Sequence, residues 1–396
     1  MIKNSLTIQS DVLRWARLSL GLSLGDVSEK IKIDTSDLEK WEQEPSDIDI
    51  PTIKKLAKTY KRPVTALFLE TPPEGIVPPD FRTLDSVKVE SLSEEARLAI
   101  RQAQRNRVFF TELIGKRSIS KKDFRFSEDV SNLAASLRKR IGVTIENQST
   151  WDKNKALNNW IDLVEGINIP VFQTPLPIEE FRGFCLRGND LVPAIVLNQR
   201  DFTNGRIFSL FHELYHVFLE QRDIDQLKRT KGLEKAHKVI ETKANDFAAS
   251  FLVPKNDFLD NEYVQAFIKT KEVKYVPKIK NYFKVSEDVV YRRFLTFNII
   301  SDLEYKEKQK ELNEQYKNLR AQKKAKQEKS KKDFIPNYYR DLTYKTGFAL
   351  GRKAFNALSE GKVTTYDLVN FFNVKTGKLE RIKHNVDVHY GANKKK

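Results

Sequence analysis

The chain has 396 residues, 40% of them hydrophobic, which is enough for about two to four domains with cores of their own. Its one cysteine, Cys185, excludes an internal disulfide and any zinc site built from several cysteines. No apolar run is long enough to cross a bilayer, and the N-terminus shows no secretory signal pattern, so we expect a cytoplasmic protein with no membrane partner.

The net charge of +16 is unevenly distributed along the chain. Residues 1–75 carry a net charge of −1, whereas residues 301–396 carry a net charge of +11. A basic excess of this kind is typical of proteins that contact phosphate groups or acidic partners. A lysine-rich surface that is merely solvated has the same composition, so both interpretations stay open.

Residues 1–72 are predicted to form a compact bundle of short helices. Apolar residues recur there at helical spacing, and residues that favour the start of a helix stand between them. These signals lie at Leu13, Ala16, Leu20, Ser23 and Pro51. A third helix is expected over residues 35–43.

This bundle resembles the helix-turn-helix domain of the Xre family. The resemblance spans residues 9–72 and includes Trp41–Glu42 and the LAKTY stretch. If the domain reads DNA, the helix over residues 35–43 should lie in the major groove. Its outward side chains would then include Thr35, Ser36 and Lys40.

Acidic side chains crowd the same short segment, at Asp34, Asp37, Glu39 and Glu42. Carboxylates near DNA phosphates are repelled, and affinity for DNA depends on lysine and arginine. The domain can therefore be interpreted in two ways, as a DNA reader or as a surface for protein docking or dimerisation. The residues leave both interpretations open.

The rest of the chain is predicted to contain four further segments. The segments are a Pro-rich linker with a long helix (73–123), a central domain of helices and short strands (124–300), a charged helix or linker (301–334), and a small basic helical domain with a tail (335–396). Residues 277–298 resemble another helix-turn-helix pair, in which Ser286 is a plausible cap for the second helix. The alternative, which we favour, is a helical pair that closes the central domain. The expected fold class is α+β and mostly helical.

The sequence SLFHELYHVFLE holds a candidate metal site. On a helix, His212 and His216 lie one turn apart on the same face, so both imidazoles can reach one ion. Glu213 points about 100° away and can instead face a water at an open coordination position. Histidine pairs of this spacing with an intervening glutamate are typical of zinc peptidases, in which the glutamate is the general base. Two partly buried histidines that only pack in an apolar helix are the alternative.

A third ligand is required, and Glu241 is the strongest candidate. It opens a second predicted helix with small alanines that would let it pack closely against the first. Asn245 stands one turn further on, where its side-chain oxygen can accept the free N–H of a ligating histidine. His237, one turn before Glu241, is a rival ligand.

Together the two motifs resemble the ImmA/IrrE family of metallo-endopeptidases over roughly residues 155–255. The matching residues are His212, Glu213, His216, Glu241, Ala244, Asn245, Phe247, Ala248 and Ala249. With the N-terminal bundle, the chain looks like the fusions of an Xre domain to such a peptidase in bacterial regulatory and mobile-element systems.

The resemblance implies a gluzincin-like zinc peptidase domain with a small sheet. It implies that His212, His216 and Glu241 bind Zn²⁺, with Glu213 as base, and that the substrate is a transcriptional repressor. Peptide substrates of such sites commonly lie along an edge strand, and we expect residues 193–199 to form it. An ordinary core strand is the alternative for this apolar run.

Two residues depart from the usual family pattern. Tyr215 stands where glycine is common, and Phe211 stands where a small residue is common. Their bulk would narrow the cleft, or the tyrosine hydroxyl would contact the substrate or the oxyanion. A domain that binds metal without efficient turnover is the alternative.

Two functions follow from these patterns. In the first, the chain is a zinc-dependent, site-specific endopeptidase that regulates transcription by cutting a repressor. In the second, it is a helix-turn-helix regulator that binds DNA or protein, or an antitoxin paired with a toxin, and its peptidase fold is a scaffold or sensor.

Overall fold

The computed structural model describes residues 5–73, 92–115, 129–188, 191–219, 231–330 and 338–393. Helices dominate, and two small sheets complete the fold, which confirms the expected α+β, mostly helical class. Two compact units are present, one built from residues up to Arg105 with Pro175–Phe181, the other from Asn106–Thr174 and from Arg182 onward. Within the described ranges, no helix is both long and apolar enough to span a membrane.

The first unit contains the helix-turn-helix region. Its elements are β1 (Ser5–Ile8), α1 (Ser10–Leu18), α2 (Leu24–Ile31), α3 (Thr35–Gln43), β2 (Ser46–Asp49), α4 (Ile50–Thr59), a 3-10 turn (Val64–Phe68) and the first part of α5 (Glu94–Ile114). Helix α2 begins with a capping box between Ser23 and Asp26, and it ends at Lys32 in the left-handed conformation. This turn directs α3 across α2, and Leu38 of α3 enters their common core.

The antiparallel pairing of β1 with β2 was not expected from the sequence. Each strand has four residues and places only one side chain in the core, Ile8 and Ile48 respectively. Over four residues, the alternation of apolar and polar side chains is too short to predict a strand.

The second unit contains fourteen helices within the described ranges after α5. They are α6 (Val130–Ile141), α7 (Ile145–Thr150), α8 (Ala156–Gly166), α9 (Thr203–Phe218), α10 (Leu233–Leu252), α11 (Lys255–Leu259), α12 (Glu262–Thr270), α13 (Val276–Phe283), α14 (Glu287–Thr296), α15 (Asp302–Ser330), α16 (Tyr338–Thr346), α17 (Phe348–Ser359), α18 (Thr365–Phe372) and α19 (Leu379–Asn393). Short 3-10 turns precede α13 and α19.

A three-stranded sheet in the second unit has the order β3-β5-β4. Its strands are β3 (Val171–Thr174), β4 (Gly183–Leu186) and β5 (Ala194–Asn198). Strand β5 runs parallel to β3 and antiparallel to β4. The expectation that residues 193–199 form the edge strand is therefore wrong. Every residue of β5 is buried, as its continuous apolar run requires of a central strand, and β4 has β5 as its one partner in the described part of the sheet.

Helices α15 to α19 pack onto the same unit. Tyr305 and Leu312 of the otherwise charged α15 are buried in the main core, which explains why so polar a helix is fixed in place. Helix α16 contacts β3, so it covers the sheet edge opposite β4.

A buried carboxylate joins the last helices to the sheet. Glu165 on α8 is 6% exposed, and it accepts hydrogen bonds from the backbone N–H of Val171 (3.1 Å) and of Ala349 (3.2 Å). Because Ala349 lies in the first turn of α17, this carboxylate caps that helix. Burial raises the pKa of Glu165 to about 8 despite these donors.

Replacing Glu165 with glutamine is expected to flatten the pH dependence of unfolding. The folded chain keeps the proton up to about pH 8, whereas the unfolded chain releases it near 4.5. The folded state thus binds more protons in this window, and the free energy of unfolding falls as pH rises, by up to about 1.4 kcal/mol per unit. Melting temperatures across the window should fall more steeply for the wild type than for E165Q. Equal slopes would contradict a raised pKa.

Candidate metal centre

Helix α9 presents both histidines of the motif on one side. The centres of the His212 and His216 rings are 4.9 Å apart, and His216 is 5% exposed. Helix α9 contacts β4 and β5, and its apolar residues Ile207, Leu210 and Leu214 are buried in the core of the unit. The apolar side therefore fixes the rotation of the helix, and that rotation sets where the imidazoles point.

Helix α10 packs along α9 and supplies the third candidate metal ligand. Ala244 and Ala248 are fully buried, and their small side chains allow a close approach of the two helices. Phe251 of α10 stacks on Phe211 of α9 with ring centres 4.1 Å apart. One turn before Ala244, Glu241 then reaches both imidazoles.

Four atoms of three side chains, two imidazole nitrogens and two carboxylate oxygens, converge at nearly equal separations. His212 Nε2 lies 3.2 Å from His216 Nε2 and 3.2 Å from a Glu241 oxygen, and His216 Nε2 lies 3.4 Å from the other Glu241 oxygen. In a tetrahedral zinc site with bonds of about 2.0–2.1 Å, neighbouring ligand atoms are about 3.4 Å apart. Within the described residues, this trio is the group of histidines and carboxylates close enough to share an ion.

The donor set fits zinc. Two imidazole nitrogens and one carboxylate are typical zinc ligands, and three protein ligands leave a fourth position open. When bound there, zinc would acidify a water molecule and polarise a peptide carbonyl. Desolvation raises the pKa of Glu241, but its contacts with His212 and His216 outweigh this effect and hold the pKa well below the usual range.

Neighbouring polar groups orient this trio. His212 Nδ1 lies 3.2 Å from Asn245 Oδ1, an atom that can only accept, so Nδ1 carries the hydrogen and Nε2 turns its lone pair toward the trio. The rival ligand His237 is further out, with Nε2 3.9 Å from Glu241 Oε1. Asn245 therefore lies where the sequence predicted it, and His237 stands beside the trio.

Glu213 lies beside Gly183 of β4. A Cβ atom on Gly183 of β4 would lie 3.5 Å from Glu213 Cγ, so a glycine at the start of β4 leaves room for this carboxylate. Burial raises the pKa of Glu213, while the charges of His212, His216 and Arg187 oppose the rise. A carboxyl with a raised pKa can take up a proton in one step and release it in the next.

The structure places Tyr215 in the core instead of the cleft. It is 1% exposed, and its ring packs near Phe247 and His216. A contact of its hydroxyl with a substrate or an oxyanion is therefore not supported. Phe211 is also fully buried, so neither bulky residue narrows the cleft.

The predicted DNA contacts belong to the other unit. Thr35, Ser36 and Lys40 are exposed on α3, and so are Asp37 and Glu39 beside them. Glu42 is engaged by Arg17, which donates to both of its carboxylate oxygens at 2.7 Å. The surface of α3 thus keeps its acidic character apart from Glu42.

Two parts of the chain match family models. Residues 164–295 match the IrrE N-terminal-like domain of the M78 peptidases, and residues 13–67 match a helix-turn-helix domain. The chain joins a helix-turn-helix domain to an IrrE N-terminal-like domain. The resemblance found in the sequence is confirmed, and the convergent trio, Glu213 and Asn245 all lie inside the IrrE-like region.

Other comparisons add little detail. No curated protein matches the chain significantly. A solved structure of a Mycobacterium tuberculosis transcriptional regulator is similar at 18% identity, with a TM-score of 0.30, over 49% of this chain and 51% of that regulator. The chain therefore spans about half the length of that regulator.

Two functionally placed arginines of the second unit were not predicted from the sequence. Arg187, directly after β4, donates to the carbonyl oxygens of His216 (2.7 Å) and Leu219 (2.6 Å). These carbonyls lie at the C-terminal end of α9, where a cation also interacts favourably with the helix dipole. The buried Arg107 of α5 donates in turn to the carbonyls of Arg187, Gly188, Leu191 and Val192. An arginine after a buried strand was the available signal, but the carbonyls that it reaches are distant in sequence.

Replacing Arg187 with methionine is expected to weaken zinc binding by roughly 10- to 100-fold, since the peptide group of His216 loses its support. R187K, which keeps a cationic donor, should recover most of the affinity. Competition with a chromogenic chelator measures both, and His216→Ala provides the zinc-free reference.

Arg138→Met is the matched control for this experiment. Arg138 is another buried arginine, and it donates to the carbonyl of Phe251 at the end of α10 (2.7 Å). Its loss should lower stability and leave zinc affinity close to that of the wild type. Wild-type affinity in R187M would show that Arg187 does not position the ligand.

Proposed function

We propose that the chain is a zinc-dependent, site-specific endopeptidase that regulates transcription by cutting a repressor protein. The observation that carries this proposal is the convergence of His212, His216 and Glu241 at tetrahedral spacing, next to the half-buried Glu213. A helical histidine pair that served packing alone would not require a carboxylate from a second helix against both rings.

The roles follow from the positions of the side chains. His212, His216 and Glu241 hold the ion, and Asn245 fixes the tautomer of His212. Glu213 takes a proton from the attacking water and then passes it to the amine of the cleaved peptide.

The place of β4 as an outer strand of the described sheet supports a binding mode for the substrate. An extended peptide can add to this edge through backbone hydrogen bonds, which would lay it past Gly183 and Glu213. An unfolded or extended segment of the target is required, because a folded loop cannot pair with a strand edge. This requirement suits limited cleavage of one regulator better than general digestion.

The helix-turn-helix domain supports delivery of the peptidase to its target. Such domains commonly bind DNA, but residues 32–46 around α3 carry a net charge of −3. We infer that this surface docks a protein, such as the repressor itself. The second function, a DNA-binding regulator or antitoxin with the peptidase fold as scaffold, would need no proton transfer by Glu213.

Replacing Glu213 with glutamine separates the two functions. We expect E213Q to retain zinc and to abolish cleavage, because the amide cannot accept the proton of water. Sequencing of protein N-termini from cells that produce wild type or E213Q should reveal new termini in one or a few proteins with the wild type only.

Glu234→Gln is the control for this comparison, since Glu234 is exposed in the first turn of α10. Cells with E234Q should show the same new termini as the wild type. If zinc-loaded E213Q produced those termini too, or if the wild type produced none, the scaffold function would replace the peptidase.

A further inference from the structure

The turn between α2 and α3 recurs near the C-terminal end of the chain. In the first unit, Lys32 is left-handed (φ 58°, ψ 56°), Asp34 is extended, and α3 begins at the next residue. Between α18 and α19, Asn373 is left-handed (φ 51°, ψ 51°) and Lys375 is extended. A 3-10 turn begins at Thr376, the position equivalent to the start of α3, and leads into α19. The direction of the chain is therefore changed by the same backbone device.

The helices around the two turns also correspond. Helices α2 and α18 have eight residues each, and both begin with a capping box, Ser23 with Asp26 and Thr364 with Asp367. Four residues separate the preceding helix from this cap in both cases. Equivalent positions fill the two cores, namely Val27 and Leu368, Ile31 and Phe372, and Leu38 and Leu379. The C-terminal trio α17–α19 is thus built as a helix-turn-helix.

The two candidate recognition helices differ in charge. Residues 32–46 carry a net charge of −3, whereas the equivalent residues 373–387 carry a net charge of +2. Acidic positions around α3 are basic around α19, since Asp34, Asp37 and Glu42 correspond to Lys375, Lys378 and Lys383. Lys40 corresponds to Arg381, which is exposed and lies over the ring of Tyr339 at 5.4 Å.

We propose that α18 and α19 form a second helix-turn-helix that binds duplex DNA, with α19 in the major groove. Arg381 and His384 are exposed on the outer face of α19, and Lys375 is exposed just before it. Tyr366, 73% exposed in the first turn of α18, lies where a hydroxyl can contact a phosphate. The acidic N-terminal domain is then free for protein, and the basic C-terminal trio supplies the DNA contact.

The proposal is tested by the salt dependence of binding. Affinity of the full-length chain for a random-sequence duplex is measured by fluorescence anisotropy over a range of salt concentrations. Each phosphate contact contributes about −0.9 to the slope of log affinity against log salt. The double substitution K378Q/R381Q should therefore reduce the magnitude of the slope by about 2 and weaken binding at least tenfold at low salt.

Two controls decide where the DNA binds. Lys40→Gln changes the equivalent position of α3, and K310Q/K317Q removes two exposed lysines from α15 in the same unit. Both proteins should keep the wild-type slope. An equal loss in K310Q/K317Q would mean that only diffuse positive charge binds DNA, and a loss confined to Lys40→Gln would assign DNA to the N-terminal domain. Absence of wild-type binding at low salt would overturn the proposal outright, leaving α19 as a protein contact.

Discussion

The close packing of α10 against α9 is the contact on which the candidate centre depends. Two histidines on one helix cannot complete a zinc site, so a carboxylate must arrive from elsewhere. Ala244 and Ala248 leave space for the close approach that brings this carboxylate to the histidines. The stacked rings of Phe211 and Phe251 fix the position of one helix along the axis of the other. A shift of one turn between these helices would move Glu241 by about 5 Å and separate it from both rings.

Buried polar groups then hold the ends of both helices. Arg187 satisfies carbonyls at the end of α9, while Arg138 and Gln148 satisfy carbonyls at the end of α10. Each is a charged or amide side chain whose burial is favourable only because it is hydrogen-bonded. The ends of α9 and α10 are therefore held by hydrogen-bonded polar side chains as well as by the apolar core.

Local patterns in the sequence were sufficient to select the residues of the candidate metal centre. His212, Glu213 and His216 lie in one helical turn, and Glu241 with Asn245 lies in another, so helical periodicity places each set on one face. The apolar run 193–199 could not reveal its place in the sheet, because strand order depends on pairing between distant segments. The packing of Tyr215 in the core depends in a related way on Phe247, which comes from another helix. The correspondence between α18–α19 and α2–α3 is carried by two capping boxes and by the left-handed residues Lys32 and Asn373, none of which a periodic apolar pattern reports.

X-ray absorption spectroscopy of the zinc-loaded protein tests the central claim most directly. The account predicts a first shell of two imidazole nitrogens and carboxylate or water oxygen at about 2.0–2.1 Å, with one imidazole lost in His216→Ala. A shell with fewer than two imidazoles, or one that His216→Ala leaves unchanged, would contradict it.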